Sequence, residues 1–428
     1  MREGGLKCRK SRQMGNVTVN IERASSENLI GGGVAAAARG TTQNGVRLYN
    51  ERLALSLIRQ YGQLPKAEIA RLTGLSAQTV SVIVRQLERD NLVMAGDKQR
   101  GKVGQPLVPF QLNPDGAFAI GLKVGRRSGD LMLLDLAGKT RDMIRQPYHF
   151  PTPKQFLAFA KAGIDKLVKQ LPMPLRSRIA GLGIAAPFEL WNWEEEVGAP
   201  HEVLQAWRDF DLMGEVAKLC DFPVHPCNDA TAACSAELLF GLGSKTRDFA
   251  YFYIGYFIGG GLVLNGSLYQ GRTGNAGALG SILVPRENGG SEQLIRSASL
   301  YTLENALNKN GQNPDLLWNA DEDWRGAGKL LDEWIARAAQ GIAQACATIA
   351  SVTECSEIVI DGAMPPSVRQ RLVAATSQAL NNVNLSGISP FTLREGAIGR
   401  DARAMGAASL PLFANFIIDR EILFKEAN

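Results

Sequence analysis

Apolar positions recur at helical spacing from Val46 onward. In NERLALSLIRQYG, Leu53, Leu57 and Ile58 form one stripe, and Gly62 offers a stop. A second short helix is expected in LPKAEIARLTG, with Ile69 and Leu72 inward and Gly74 making a tight turn. Ser76 is placed to cap a third helix, SAQTVSVIVRQLERDN, whose buried side is Val80, Ile83, Val84 and Leu87. Its other side carries Gln78, Thr79, Ser81 and Arg85. Two short helices, a glycine turn and a polar-faced third helix make a helix-turn-helix pattern. The following LVMAGDKQRGKVGQPLVPFQLNP reads as two strands joined by a basic, glycine-rich loop, the wing of a winged helix over residues 46–112.

Beyond residue 113 the period changes. AIGLKVGRRSGDLMLLDLAGKT predicts a strand, a glycine turn, a second strand and a hairpin. RIAGLGIAAPFELW is another buried strand, FAYFYIGYFIGGGLVLNGSLYQG two strands around a triple-glycine loop, and SEIVIDGAMPP a late strand. Helical patterns lie between them, including GKLLDEWIARAAQGIAQACATIASVT. Strand blocks alternating with long helices imply an α/β architecture, with glycines at strand exits where such folds place ligands.

Composition narrows the reading little. A chain of 428 residues, 45% hydrophobic and 21% charged, is ordinary globular material with room for two or three domains. No apolar run approaches the roughly 18 residues of a membrane span, and no apolar signal core follows the basic N-terminus, so a cytoplasmic location without membrane attachment is expected. Residues 1–45 are glycine- and alanine-rich without a patterned core, which reads as a disordered leader or a misassigned start rather than a DNA-contacting arm. Cys220, Cys227 and Cys234 recur every seven residues, a rhythm that suits small buried thiols better than a metal site.

Charge adds more. The net charge of +5 is modest, but residues 46–112 hold ten Lys and Arg against five Asp and Glu. A local cationic excess suits a phosphate backbone, where each neutralised phosphate releases counterions. Gln78, Thr79 and Ser81 are short hydrogen-bonding side chains able to meet base edges in a major groove, together with Arg85. Lys66 and Ser76 at the starts of the second and third helices, and Arg100 and Lys102 on the wing, complete the expected contacts to double-stranded DNA. A winged helix used for protein contacts is the alternative.

The chain resembles the ROK family of repressors and sugar kinases, from about Asn50 to the C-terminus. The NDA-x-A-A-x-x-E motif stands as Asn228-Asp229-Ala230 with Ala232, Ala233 and Glu237, and Gly255 with Gly259-Gly260-Gly261 resemble the second phosphate loop. NGSLYQGRTGNAGALGS matches the approach to the family's sugar-binding AGExGH. The resemblance implies a two-lobed actin-like ATPase fold behind the winged helix, the first lobe at 113–225 completed by about 395–428 and the second at 226–394.

Departures from the motifs are equally informative. Lys123 occupies the place of the acid in the kinases' first phosphate turn, followed by Arg126 and Arg127. A cation there cannot hold Mg²⁺. Tyr256 and Phe257 replace small residues in the second phosphate loop, where rings obstruct backbone approach to ATP. Ala278 and Ser281 replace the sugar-binding glutamate and histidine, and the segment after them has no cysteine; His149, His201 and His225 are scattered. Neither a zinc site nor a cofactor is expected, nor an enzyme.

In the kinases the residue matching Asp229 is the base. Here three roles stay open for it: ligand contact, helix cap, and base. Asn228, Asp229, Gly260, His201 and Ser281 form the expected ligand set, for a sugar-like effector, a phosphorylated ligand drawn by Arg126 and Arg127, or no effector. The expectation is a sequence-specific transcriptional regulator of carbohydrate genes, a repressor by family habit, assembled as a homodimer or tetramer. The alternatives are a DNA-binding protein with a purely oligomerising body and an active sugar kinase.

Overall fold

A computed structural model describes residues 43–97, 107–187, 201–241, 246–286, 288–319 and 323–417. At the N-terminal end, α1 (Gln43–Tyr61), α2 (Lys66–Thr73) and α3 (Ala77–Arg89) surround a core of Leu55, Ile58, Ile69, Val80, Val84 and Leu87. The α2–α3 turn depends on Gly74, whose left-handed backbone at φ 70° lets its N–H reach the Ala70 carbonyl and close the helix. Short strands β1 (Gln63–Pro65), β2 (Val93–Ala95) and β3 (Pro109–Leu112) form an antiparallel sheet in the order β1-β3-β2. The wing strands are therefore present, and a third strand from before α2 joins them. The loop carrying Arg100 and Lys102 lies outside the described residues.

Two five-stranded sheets follow. The first contains β4 (Phe118–Val124), β5 (Ser128–Asp135), β6 (Thr140–Pro147), β7 (Ile179–Ala186) and β8 (Val224–Asn228) in the order β6-β5-β4-β7-β8. Strand β4 is buried at every position because both faces are covered. Phe118, Ile120 and Leu122 meet α4 (Pro153–Gln170) through Phe156, Phe159 and Leu167, while Ala119 meets the C-terminal helix. The second sheet contains β9 (Phe249–Ile254), β10 (Ile258–Leu264), β11 (Ser267–Tyr269), β14 (Glu357–Gly362) and β15 (Thr392–Glu395), with a separate hairpin of β12 (Leu283–Pro285) and β13 (Ser291–Gln293). Helices α6 (Leu300–Lys309), α7 (Gly328–Thr353) and α8 (Pro366–Leu380) cover its outer face around Leu303, Trp334, Ile342 and Leu372.

Between the sheets lie α5 (Asp229–Phe240) and α9 (Ala402–Phe416), both built largely from small residues. Their close approach is steric. A side chain at Gly406 would strike the Ala232 carbonyl, and one at Gly183 the Ala407 carbonyl. Ser235 and Ser409 share a buried 2.6 Å hydrogen bond. The triple glycine does not form a loop, as its composition suggested, but sits inside β10. Gly259 and Gly261 admit Ala230 and Cys234 of α5, and Gly260 faces Leu279. The β9–β10 turn is instead Gly255-Tyr256-Phe257, closed by a 3.2 Å bond from Gly255 N–H to the Phe257 carbonyl.

Helix α9 also reaches the winged helix. Phe416 packs against both the head core and the first sheet, as does Leu92, and Arg52 donates to the Ile417 carbonyl at 3.4 Å. No helix among the described residues is long and apolar enough to cross a membrane.

Candidate functional site

The amphipathic pattern of α3 leaves one face outward. Gln78, Thr79 and Arg85 are exposed and Ser81 is half-buried. Ser76 is consumed locally: its Oγ accepts from Thr79 N–H at 3.1 Å and lies 2.8 Å from Thr79 Oγ1. Its expected DNA contact therefore competes with a capping role. Lys66 Nζ stands 5.0 Å from the centre of the Phe110 ring, an anchorage on β3. Sequence reading missed Val82, which is 57% exposed amid these polar residues. The signal was there: Val82 falls off the Val80, Ile83, Val84, Leu87 stripe.

In the body, the NDA motif joins β8 to α5. Asn228, not Asp229, caps the helix: its Oδ1 accepts from the N–H groups of Ala230 at 3.0 Å and Thr231 at 3.3 Å. The expectation of a capping role for Asp229 is corrected, because Asp229 is already inside the first turn. Its Oδ2 accepts from Arg403 at 3.0 Å, both side chains being nearly buried, and the Arg403 guanidinium lies 4.8 Å from the Tyr253 ring centre. A base needs an open approach to its proton. Here a guanidinium fixed by a ring occupies one of the two oxygens.

The first phosphate turn is filled by its own side chain. Lys123 folds over Gly125 and donates to Ser128 Oγ at 2.9 Å and to Asp130 at 3.0 Å, its cross-strand neighbour on β5. Burial pushes the Lys123 ammonium down to about 8, with Asp130 opposing the shift and Arg403 adding to it. Asp130 also accepts from Arg145 at 2.9 Å, and Arg145 reaches on to Asp401 at 2.7 Å. Burial alone would raise the Asp130 carboxyl; Lys123 and Arg145 outweigh it and hold the group well below the usual carboxylate range.

Across from this turn, the second phosphate loop presents rings. Tyr256 and Phe257 pack with Tyr301 and Trp318. Arg126 lies 4.1 Å from the Phe257 ring centre, and Arg127 lies 5.2 Å from that of Tyr256 while pairing with Glu304. Glu304 is fixed in turn by Trp318 Nε1 at 2.6 Å. The two turns that would flank a nucleotide thus touch each other, and the space between them is about 80 Å³. Ligand sites for drug-sized molecules are roughly 300–1,000 Å³.

The remaining expected contacts are dispersed. Gly260 is packed between Tyr251 and Leu279 and has no room for a ligand against its Cα. Ser281 is exposed at the end of a single 3₁₀ turn beginning at Leu279, so Gly260 and this turn are neighbours. His201 is exposed at the start of a short helix, and the residues preceding it are outside those described. Arg145, Glu304, Arg400 and Arg403 were not singled out from sequence, since nothing in local spacing places them beside Lys123 or Asp229.

A winged-helix head on a two-lobed body with a kinase-type cleft defines a class that joins DNA binding to a sugar-kinase fold. Two family models match, the ROK family over residues 119–412 and a winged helix-turn-helix DNA-binding domain over 47–94. The chain belongs to the ROK family. It is 26% identical over 368 residues to the uncharacterized protein y4fQ of Sinorhizobium fredii, covering 86% of this chain and 91% of that one. It is 27% identical to the xylose repressor of Bacillus spizizenii over 244 residues, 56% of this chain and 62% of that protein, just short of two thirds of its length. Among solved structures, a ROK family transcriptional regulator, a homolog of the Escherichia coli MLC protein, superposes with a TM-score of 0.60 at 19% identity, covering 89% of this chain and 99% of that one.

Proposed function

We propose that the protein is a DNA-binding transcriptional regulator of carbohydrate genes whose kinase-like body senses a sugar-like effector and does not catalyse phosphoryl transfer. The observation that carries this reading is the pair of ends of α9. Arg403 at one end holds Asp229 in the cleft, and Phe416 with Ile417 at the other meets the head core. A ligand that competes for Asp229 through its hydroxyls acts on the same helix that seats the DNA-binding head. It changes operator affinity only as far as it binds the two lobe arrangements differently.

The likeness to the xylose repressor supports the repressor role and a sugar-like effector. Asp229 Oδ1 is the acceptor for such a ligand, with Asn228 beside it, while Gly260 is better explained by packing. Repression acts through a homodimer that spaces two α3 helices over operator half-sites.

The filled phosphate turns support a body that does not catalyse phosphoryl transfer. Lys123 stands where a metal-binding acid is needed, and Tyr256, Phe257 and the Arg127–Glu304 pair cover the nucleotide's path. The test is twofold. Purified protein should bind DNA upstream of its own gene with a steep salt dependence, and should form no ADP from ATP with any common hexose or pentose. Sugar-dependent ADP formation would make the kinase reading correct instead.

A further inference from the structure

Val82 interrupts a polar stripe. Positions 78, 82 and 85 follow the i, i+4, i+7 spacing that lines side chains along one face of a helix. Val82 therefore stands between Gln78 and Arg85 on the outward side of α3, and all three are exposed, Val82 at 57%. Two polar neighbours are occupied locally. Thr79 Oγ1 lies 2.8 Å from Ser76 Oγ, while Gln86 donates to Asp90 at 2.9 Å and accepts from Arg89 at 2.7 Å.

A single exposed aliphatic side chain needs no explanation by itself. Two features set this one apart. The helix gains nothing from it, since valine is stiff at χ1 and a poorer helix former than alanine, lysine or glutamine. Nor does it join the core of Val80, Ile83, Val84 and Leu87. It also lies within a domain suited to a polyanion, residues 46–112 holding ten Lys and Arg against five Asp and Glu. An apolar group in the middle of such a face fits a partner that is anionic at its rim and apolar at one point inside. The major groove is that kind of surface: phosphates border it, and the thymine 5-methyl is the apolar group among the donors and acceptors of its base edges.

We infer that Val82 is a specificity-determining residue that packs its isopropyl group against the 5-methyl of a thymine in each operator half-site. The inference rests on the DNA-binding reading above and adds to it a base that the hydrogen-bonding side chains do not select. At about 1.5 Å of rise per residue, Val82 is roughly 6 Å along the axis from Gln78 and roughly 4.5 Å from Arg85. Base pairs are about 3.4 Å apart, so the thymine lies within about two base pairs of the bases that Gln78 and Arg85 meet. Cytosine in its place would turn an amino donor toward a side chain with no acceptor, which selects against it.

The test uses the full chain and upstream DNA in which each thymine is replaced in turn by deoxyuridine, a change that removes the 5-methyl and keeps the base pair. Anisotropy titrations at one fixed salt concentration should show a loss of about fourfold at one thymine per half-site, the worth of one buried methyl group. Val82→Ala suits an exposed helical position and should fold. It should cost a similar factor on the thymine operator and make that deoxyuridine replacement neutral. Its salt dependence should match that of the native protein, because no phosphate contact is lost. Indifference to every replacement overturns the inference, as does a methyl whose loss costs the native protein and Val82→Ala equally. A methyl-independent loss in Val82→Ala with an altered sedimentation coefficient overturns it too, placing Val82 in a protein contact. All three outcomes leave the regulator reading standing. Absence of saturable binding to upstream DNA sinks that reading itself, and this inference with it.

Discussion

Arg403 donates to Asp229 across the packing of α9 on α5, at 3.0 Å and nearly out of solvent. The residue that would be a kinase base is thereby turned into one half of an ion pair. That pair rests on close helix packing, which Gly406 permits by leaving room for the Ala232 carbonyl.

Removing one partner of such a pair strands the other charge. Arg403→Ala should destabilise the protein by about 3–5 kcal/mol in urea unfolding. Asp229→Asn keeps an acceptor for the guanidinium but not its counter-charge, and should cost less, about 1.5–3 kcal/mol. Equal, small effects of both would show that the pair contributes nothing to the fold.

Adding a side chain at Gly406 should push α9 off α5. Gly406→Val is expected to cost about 1–3 kcal/mol through overpacking. It should also weaken operator binding, because the far end of α9 carries Phe416 into the head core. A variant that is destabilised yet binds operator with unchanged affinity under folded conditions would break the proposed link between cleft and head.

Lys123 supplies a pH dependence of known sign. Its folded value is lowered from the ordinary 10.5 to about 8 by burial, with Asp130 opposing and Arg403 and Arg145 reinforcing. Between those values the unfolded chain holds the proton that the native chain has released, so stability rises with pH in that window. Below about 8 the contribution is flat. The stability difference between the native protein and Lys123→Met, followed by urea unfolding from neutral pH to about 10, should grow in favour of the native protein. A flat or falling difference contradicts the assignment.

The outward face of α3 should read DNA. Replacing both Gln78 and Arg85 with alanine removes two contacts, each worth about 1–3 kcal/mol if it meets a base edge. Anisotropy titrations at moderate salt should then show operator affinity falling by at least about tenfold. Unchanged affinity would mean that α3 is not the recognition helix.

Periodicity made the head legible: Val80, Ile83, Val84 and Leu87 are buried as their spacing requires, and Ser76 caps α3. Strand and helix alternation likewise announced the sheets. What sequence concealed depends on contacts between distant segments. Glycines 259–261 look like a loop until α5 is seen against them, since composition cannot distinguish a flexible turn from a surface kept bare for packing. The capping role passed from Asp229 to Asn228 by a shift of one position, below the resolution of boundary signals. Arg145, Glu304, Arg400 and Arg403 reach the cleft only through strand register and helix packing. Lys123 was legible as a departure from the motif, but its partner Asp130, seven residues on, required the β4–β5 pairing.

The central claim is that a ligand in the body alters the hold of the head on DNA. The most direct measurement is anisotropy of labelled upstream DNA with the full chain, titrated with pentoses, hexoses and their phosphates at one fixed salt concentration. The account predicts that at least one of these ligands shifts operator affinity, and that Asp229→Ala abolishes the shift while leaving ligand-free binding measurable. Operator binding that is the same with every ligand would contradict it, leaving a DNA-binding protein whose two-lobed body serves only assembly.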